Sequence, residues 1–276
     1  MLVNGKKIAE KIYSDLEKKV KGLNNPPGLG ILLVGNKPAS LKFCSIKIRK
    51  CKHVGIFFKK IHLSKNISEE RVIKMINKLN TDKKINGIII QLPLPKRLST
   101  IRLLSQISPH KDVEGVNPVN FAKLACGKEI LTVVPAAVIK IIDYYNIKIA
   151  KENIVIINDS YLIGKPLAFL LTNRKATVTL CNKYSNLKKY TKGADIIISA
   201  TGCPHLIKPG MVKKGAVIFD LGFSLVKDKI IGDVYFKKLK NKCRYITPNP
   251  GGVGPITVAM LLLNTYKLSL KNYDYR

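Results

Sequence analysis

Residues 247–265 read T-P-N-P-G-G-V-G-P-I-T-V-A-M-L-L-L-N-T. Three prolines and three glycines fall within the first nine of these residues, a density that no helix or strand interior tolerates. The segment is therefore a shaped loop, in which Gly251, Gly252 and Gly254 supply left-handed backbone or let something bulky come close. Pro255 suits the first turn of a helix. Ile256, Val258, Ala259, Met260, Leu261, Leu262 and Leu263 then make that helix apolar on nearly every side, hence buried. Such a loop either presents main-chain N–H groups to a ligand or is a tight turn ahead of a packed helix, and the stretch by itself leaves both open.

Around it, 276 residues suffice for one large or two modest domains. The sequence holds no apolar run of about 18 residues and no export pattern after Met1, so a cytoplasmic protein without a membrane role is expected. Six cysteines are scattered without a C-x-x-C pair, which argues against a zinc site or a disulfide frame and for no bound metal. The formal charge is +32, and 42 of the 49 cations are lysines spread along the whole length. Arginine, the better bidentate phosphate ligand, is scarce, and there is no basic tail. The charge therefore points to no specific nucleic-acid partner, although it raises affinity for anionic ligands.

Residues 6–22 place Ile8, Ile12, Leu16 and Val20 at four-residue steps, an amphipathic helix that Gly22 ends. Leu29–Val34 is a buried strand. Ser40 is a reasonable N-cap for a helix from Leu41 to about His53, on which Phe43 and Lys47 share one face at i and i+4. On local grounds Lys47 reads as one more solvated lysine. Gly55–Phe58 starts a second strand, Ser68 caps a further helix, and Gly87–Pro95 is a third strand with Gln91 near its C-terminal end. Open α/β sheets present ligand-binding groups at that end, though a glutamine facing solvent would look the same.

Several of these stretches resemble the bifunctional methylenetetrahydrofolate dehydrogenase/methenyltetrahydrofolate cyclohydrolase family. The opening loop is similar to its C-terminal signature. V-G-N-K-P-A-S-L-K-F-C-S-I-K (34–47) is similar to its first motif, Q-L-P-L-P (91–95) to a second, and K-D-V-E-G (111–115) to a third. The resemblance implies that Lys47 is the proton-transfer group, with Gln91 and Asp112 as its partners. It also implies that Phe43, where the family has tyrosine, stacks on folate, that Glu114, in place of aspartate, holds the pterin, and that Pro250, Gly251 and Gly252 contact substrate. Of the family's P-C-T-P-x-G, only Pro135 is kept in Thr132-Val133-Val134-Pro135.

The second half opens with strand Asn153–Ile157, a turn and a helix, the dinucleotide-binding arrangement without G-x-G-x-x-G. The turn resembles the family's glycine-containing loop, with Asn158 for glycine, Asp159 for arginine or a small residue, and Ser160 and Gly164 retained. A carboxylate after the next strand favours NAD and a cation NADP; Lys183 stands there, which favours NADP, with NAD possible. Thr201, Gly202 and Phe223 fall where the family meets the cofactor. The fold expected is two α/β domains flanking a cleft: a folate-binding domain (1–116 plus 255–276) and a Rossmann-like domain (117–254). The activity implied is oxidation of methylenetetrahydrofolate with NADP followed by hydrolysis to formyltetrahydrofolate, in a homodimer. The alternatives are a homologue that keeps only the hydrolysis, motivated by Val133, Val134, Asn158 and Asp159, and a basic nucleic-acid-binding protein.

Overall fold

The structure, a computed structural model, describes residues 1–226 and 229–270. The chain forms two compact units, one of residues 10–133 with those from 258 onward, the other of residues 1–9 and 134–257. These boundaries differ from the ones read in sequence, at 116/117 and 254/255, and long-range contacts explain why. Leu2 bridges Ile246 in parallel, and the Val3 N–H donates to the Ile246 carbonyl at 3.0 Å, so the N-terminus extends the later sheet. Residues 117–133 instead stay with the preceding segment: Asn120 donates to Asp112, and the Asn264 amide donates to the carbonyls of Val113 and Thr132, both at 2.8 Å.

Helix α1 (Gly5–Lys21) buries Ile8, Ile12, Leu16 and Val20, as their spacing predicts, and its last turn carries lysines that suit a helix C-terminus. Strand β1 (Gly28–Val34) is buried throughout. Helix α2 (Pro38–Val54) begins earlier than read from sequence. Pro38 sits in its first turn with Lys37 as N-cap, because proline is pre-set for that position. Ser40 therefore lies inside the helix, with its buried hydroxyl unpartnered, and is not the cap. Then come β2 (Phe57–Leu63), α3 (Glu69–Thr81), capped by Ser68 as expected, β3 (Gly87–Gln91), α4 (Thr100–Leu104) and α5 (Pro118–Ala125). Among the described residues the strands form a parallel sheet in the order β2-β1-β3.

The second unit holds α6 (Val134–Tyr144), β4 (Asn153–Ile157), α7 (Gly164–Asn173), β5 (Thr177–Cys181), α8 (Leu187–Thr191), β6 (Ile196–Ser199) and β7 (Val217–Asp220). It continues with β8 (Ser224–Val226), β9 (Lys229–Ile231), α9 (Phe236–Leu239) and β10 (Tyr245–Ile246). Strands β10-β7-β6-β4-β5 make a parallel sheet in that order among the described residues. From β4 the chain winds outward to β5, then returns to build β6, β7 and β10 on the other side. That reversal between β4 and β6 is a topological switch point, where doubly wound folds place a ligand beyond the strand C-termini. Ile154, Val155, Ile156, Ile197, Ile198 and Phe219 fill the sheet and have almost no exposed surface, the near-continuous apolar pattern of a sheet covered on both faces.

The loop after β10 follows the sequence reading at two of its three glycines. Gly251 has φ +109°, and a methyl group on Gly252 would stand 2.6 Å from the Pro248 carbonyl oxygen. Gly254 is different: it lies inside α10 (Val253–Ser269), and an added methyl would meet nothing within 4 Å. The tightest approach lies at Gly5, where a methyl group would sit 1.7 Å from the Gly252 carbonyl oxygen. Gly5→Ala should therefore cost about 3 kcal/mol or more, read as the shift in urea midpoint. Gly193→Ala, with no atom within 4 Å of the new methyl, should stay within about 0.5 kcal/mol. Equal shifts for the two would show that the Gly5 contact does not constrain the fold.

Candidate active site

In the unit of residues 10–133, α2 and β3 bring together two of the predicted side chains. The Lys47 ammonium donates to Gln91 Oε1 at 3.0 Å, and Gln91 Nε2 donates to the Leu92 carbonyl at 2.8 Å. The glutamine amide is thus held at both ends, and its oxygen faces the lysine. Gln91 is buried and not a solvent-facing strand end, and Lys47 is half-buried. Cys44, one turn before Lys47 on α2, places its thiol 3.8 Å from the same oxygen. Burial pushes that thiol up in pKa against the lowering pull of the Lys47 charge. Phe43 lies on the same helix with 37% of its surface exposed.

Asp112 is fully buried. Its carboxylate accepts from the backbone N–H of Glu114 (3.2 Å) and of Asn117 (2.7 Å), and from Asn120 Nδ2 (3.0 Å). Burial raises its pKa, and these hydrogen bonds oppose the rise. A carboxylate so committed organises the turn that carries Glu114; it has no exposed surface from which to meet a substrate. Glu114 retains exposed surface as a residue. Burial of its carboxyl raises the pKa, the Lys47 charge lowers it, and Asp112 adds a further rise. The sequence reading assigned no role to Asn117, Asn120 or Asn264, since an asparagine that binds distant carbonyls has no local signature.

In the other unit the turn from β4 to α7 is closed by its own side chains. Asn158 Oδ1 accepts from the N–H groups of Ser160 and Gly164, each at 3.0 Å, and from the Ser160 hydroxyl at 2.6 Å. Its Nδ2 donates to the Ala200 carbonyl at 2.7 Å, spanning the switch point. The Ser160 hydroxyl accepts from Ile163 N–H, and the Ser160 carbonyl from Lys165 N–H. Gly164 cannot be another residue, because a methyl there would stand 1.8 Å from the Asn158 carbonyl oxygen. Asp159 is exposed and accepts from Asn182 Nδ2, just past β5, at 3.2 Å; Lys183 is exposed as well.

At the ends of β6 and β7, Gly202 has φ +70°, and a methyl there would come no closer than 3.5 Å to any atom. Gly222 serves packing instead: a methyl would stand 2.1 Å from Asp233 Oδ1. Two buried acids, without a role in the sequence reading, fix these turns. Asp233 Oδ2 accepts from Ser199 Oγ (2.7 Å) and Thr201 N–H (2.6 Å); Asp220 accepts from the N–H groups of Gly222, Asp233 and Val234. Phe223 is 41% exposed. Pro250, Gly251 and Gly252 belong to this unit, in the loop whose Asn249 side chain donates to the Gly222 carbonyl.

Comparison with known proteins settles the lineage. Residues 3–114 match the family described as tetrahydrofolate dehydrogenase/cyclohydrolase, catalytic domain, and residues 132–273 match its NAD(P)-binding domain. The chain belongs to the tetrahydrofolate dehydrogenase/cyclohydrolase family. It is 44% identical over 273 residues to the bifunctional protein FolD of Methanosarcina barkeri, covering 98% of this chain and 95% of that one. It superposes on the crystal structure of the bifunctional FolD enzyme of Campylobacter jejuni with a TM-score of 0.95, at 39% identity and 98% coverage of both chains. A Trypanosoma brucei FolD, solved with NADP cofactor and an inhibitor, matches at TM-score 0.92 and 29% identity, covering 97% and 96%.

Within this dehydrogenase/cyclohydrolase fold the strand ends suit a dinucleotide. Gly202, in the left-handed region, and the Thr201 turn fixed by Asp233 lie at the β6 end, and polar residues line the β4 and β5 exits. The fit is least generous at the start of α7, where the side chain of Asn158 and the oxygens of Ser160 already hold the first N–H groups. An apolar depression of about 330 Å³ on the α7–β5 flank, lined by Lys165, Ala168, Phe169, Thr172, Val178 and Leu180, includes none of the predicted residues.

Glu114 gives a pH test. Its folded pKa lies above the ordinary value of 4.5, so its ionised form costs stability above the folded pKa, and the cost fades as pH falls toward 4.5. Glu114→Gln should therefore melt above the wild type at pH 8, with the gap closing on acidification. A gap that widens toward acid would mean that the fold favours the ionised carboxylate.

Proposed function

We propose that the chain oxidises methylenetetrahydrofolate to methenyltetrahydrofolate with a nicotinamide dinucleotide and then hydrolyses the product to formyltetrahydrofolate. The observation that carries this reading is Lys47 Nζ held at 3.0 Å from Gln91 Oε1, inside the segment that matches the family's catalytic domain. The relatives named as bifunctional enzymes support both steps.

NAD(P), when bound, supplies the hydride acceptor. The protein's part in oxidation is placement and exclusion of water. Thr201, Gly202 and Phe223 receive the nicotinamide half, Asn158, Ser160 and Gly164 lie at the phosphates, and Asp159 and Lys183 at the adenosine ribose. Phe43 lies against the folate ring system, Glu114 accepts the pterin N–H groups, and Pro250, Gly251 and Gly252 line the substrate.

In hydrolysis, water adds to the cationic methenyl carbon and one of its protons passes to solvent. The Lys47 ammonium then gives a proton to the ring nitrogen as the carbon–nitrogen bond breaks, and recovers one from the hydroxyl that becomes the formyl oxygen, so that one proton in total is released. Gln91 Oε1 holds the ammonium in place between turnovers. Asp112 contributes by fixing the turn that aims Glu114. Lys47→Met should lower hydrolysis by about 10²-fold or more, followed spectroscopically on methenyltetrahydrofolate. A variant that hydrolyses at the wild-type rate would remove Lys47 from the mechanism.

A second reading keeps the hydrolysis with a weakened oxidation, and the Asn158 side chain across the α7 N-terminus favours it. Hydrolysis without dinucleotide-dependent oxidation in the same preparation would select it. No described helix is long and apolar enough to cross a membrane. A cytoplasmic place suits an enzyme whose substrates are dissolved, charged small molecules.

We also infer a homodimer. The β8–β9 hairpin pairs with no other strand among the described residues, and it displays Leu225 and Val226, with Leu225 58% exposed. A two-stranded hairpin is marginal by itself, and a second copy is the symmetric cover for it. Sedimentation should give a dimer for the wild type and a monomer for Leu225→Asp; a dimer that survives the substitution would place the interface elsewhere.

A further inference from the structure

We propose that Asp159 makes the dinucleotide site select NAD over NADP. This rests on the dehydrogenase reading above and decides which dinucleotide serves it. In doubly wound folds the residues just past the second strand meet the adenosine ribose, where a carboxylate accepts from the 2′-hydroxyl and a cation accommodates the 2′-phosphate. Here that strand is β5, and it ends at Cys181, followed by Asn182 and Lys183.

The acid arrives from the neighbouring strand. Asp159 stands two residues beyond β4, and β4 pairs directly with β5, with Ile157 opposite Cys181. Asn182 is locked by its own turn: its Oδ1 accepts from Tyr184 N–H at 3.0 Å and its backbone N–H donates to Ser185 Oγ at 3.0 Å. That turn aims Nδ2 at the Asp159 carboxylate, 3.2 Å away. The pair sets a fixed negative charge across the two strand ends.

The charge is not spent on a cation. None of the ion pairs among the described residues takes in Asp159, although the chain carries 49 lysines and arginines. Lys183, the residue that favoured NADP on sequence alone, lies with its ammonium 4.8 Å from the centre of the exposed Tyr184 ring. A 2′-phosphate brings up to two further negative charges to the same place, whereas a 2′-hydroxyl donates to the carboxylate.

The test is calorimetric titration of the full chain with NAD and with NADP at one ionic strength, repeated on Asp159→Asn and Lys183→Ala. The expected result is about tenfold tighter binding of NAD by the wild type, and in Asp159→Asn a gain of about tenfold for NADP together with weaker binding of NAD, whose 2′-hydroxyl loses an ionised acceptor. Lys183→Ala should leave the preference for NAD in place. Melting temperatures of the variants serve as the control for folding, and Asp159 is exposed enough that none should fall. Equal or tighter binding of NADP by the wild type, or an unchanged ratio in Asp159→Asn, overturns the proposal and leaves the dehydrogenase reading standing. Binding of neither dinucleotide overturns both.

Discussion

A buried carboxylate has to collect hydrogen-bond donors, and the loops of both units are shaped by three that do so. Asp112 gathers the backbone of Glu114 and Asn117, Asp220 that of Gly222, Asp233 and Val234, and Asp233 that of Thr201. Each bond to an ionised acid is worth about 1.5–3 kcal/mol, yet burial still leaves Asp112 and Asp220 above their ordinary pKa. The donors offset the cost of burial without cancelling it. What the arrangement yields is direction: the residues that follow a strand leave it along one path, because any other path strands an acid without its partners. Gly222 belongs to the same constraint, since no side chain fits beside Asp233.

The same requirement explains how a chain of net charge +32 keeps acids where it needs them. Glu10, Glu17, Glu69, Asp82, Asp143 and Asp195 each pair with a lysine or arginine near the surface, contacts that water and salt weaken. The acids of the site loops are held by backbone N–H groups and asparagines, which do not detach when salt rises. The lysine excess is therefore a property of the solvated surface, and the chemistry sits on the few residues whose partners are fixed.

How much of this was legible follows from the range of each interaction. The pairing of Lys47 with Gln91 was legible only through the family resemblance of their two motifs, because on local grounds the lysine reads as solvated and the glutamine as a strand end open to water. The start of α2 was misread because Ser40 and Pro38 are both initiating residues and the proline, pre-set in φ, prevails. The unit boundaries were not readable. They depend on Leu2 meeting Ile246 and on Asn264 reaching Thr132, pairs that no window of sequence contains. Asp220 and Asp233 carry no role in the sequence reading, since burial of an acid shows only once its donors are placed.

The family pattern is broken at side chains, and the framework absorbs the breaks. The backbone N–H of Glu114, not its carboxyl, is what Asp112 holds, so the extra methylene at this position lengthens the reach of the acid without moving the turn. Asn158 stands where the family has glycine, and its amide bonds to Ser160, Gly164 and Ala200 at once, which replaces flexibility at that position with a fixed turn. Both substitutions leave the path of the main chain set by buried groups and change only what it presents to a ligand. A fold held in this way can alter which dinucleotide it accepts, or how well, at exposed positions such as Asp159, because no buried contact has to be rebuilt when they change.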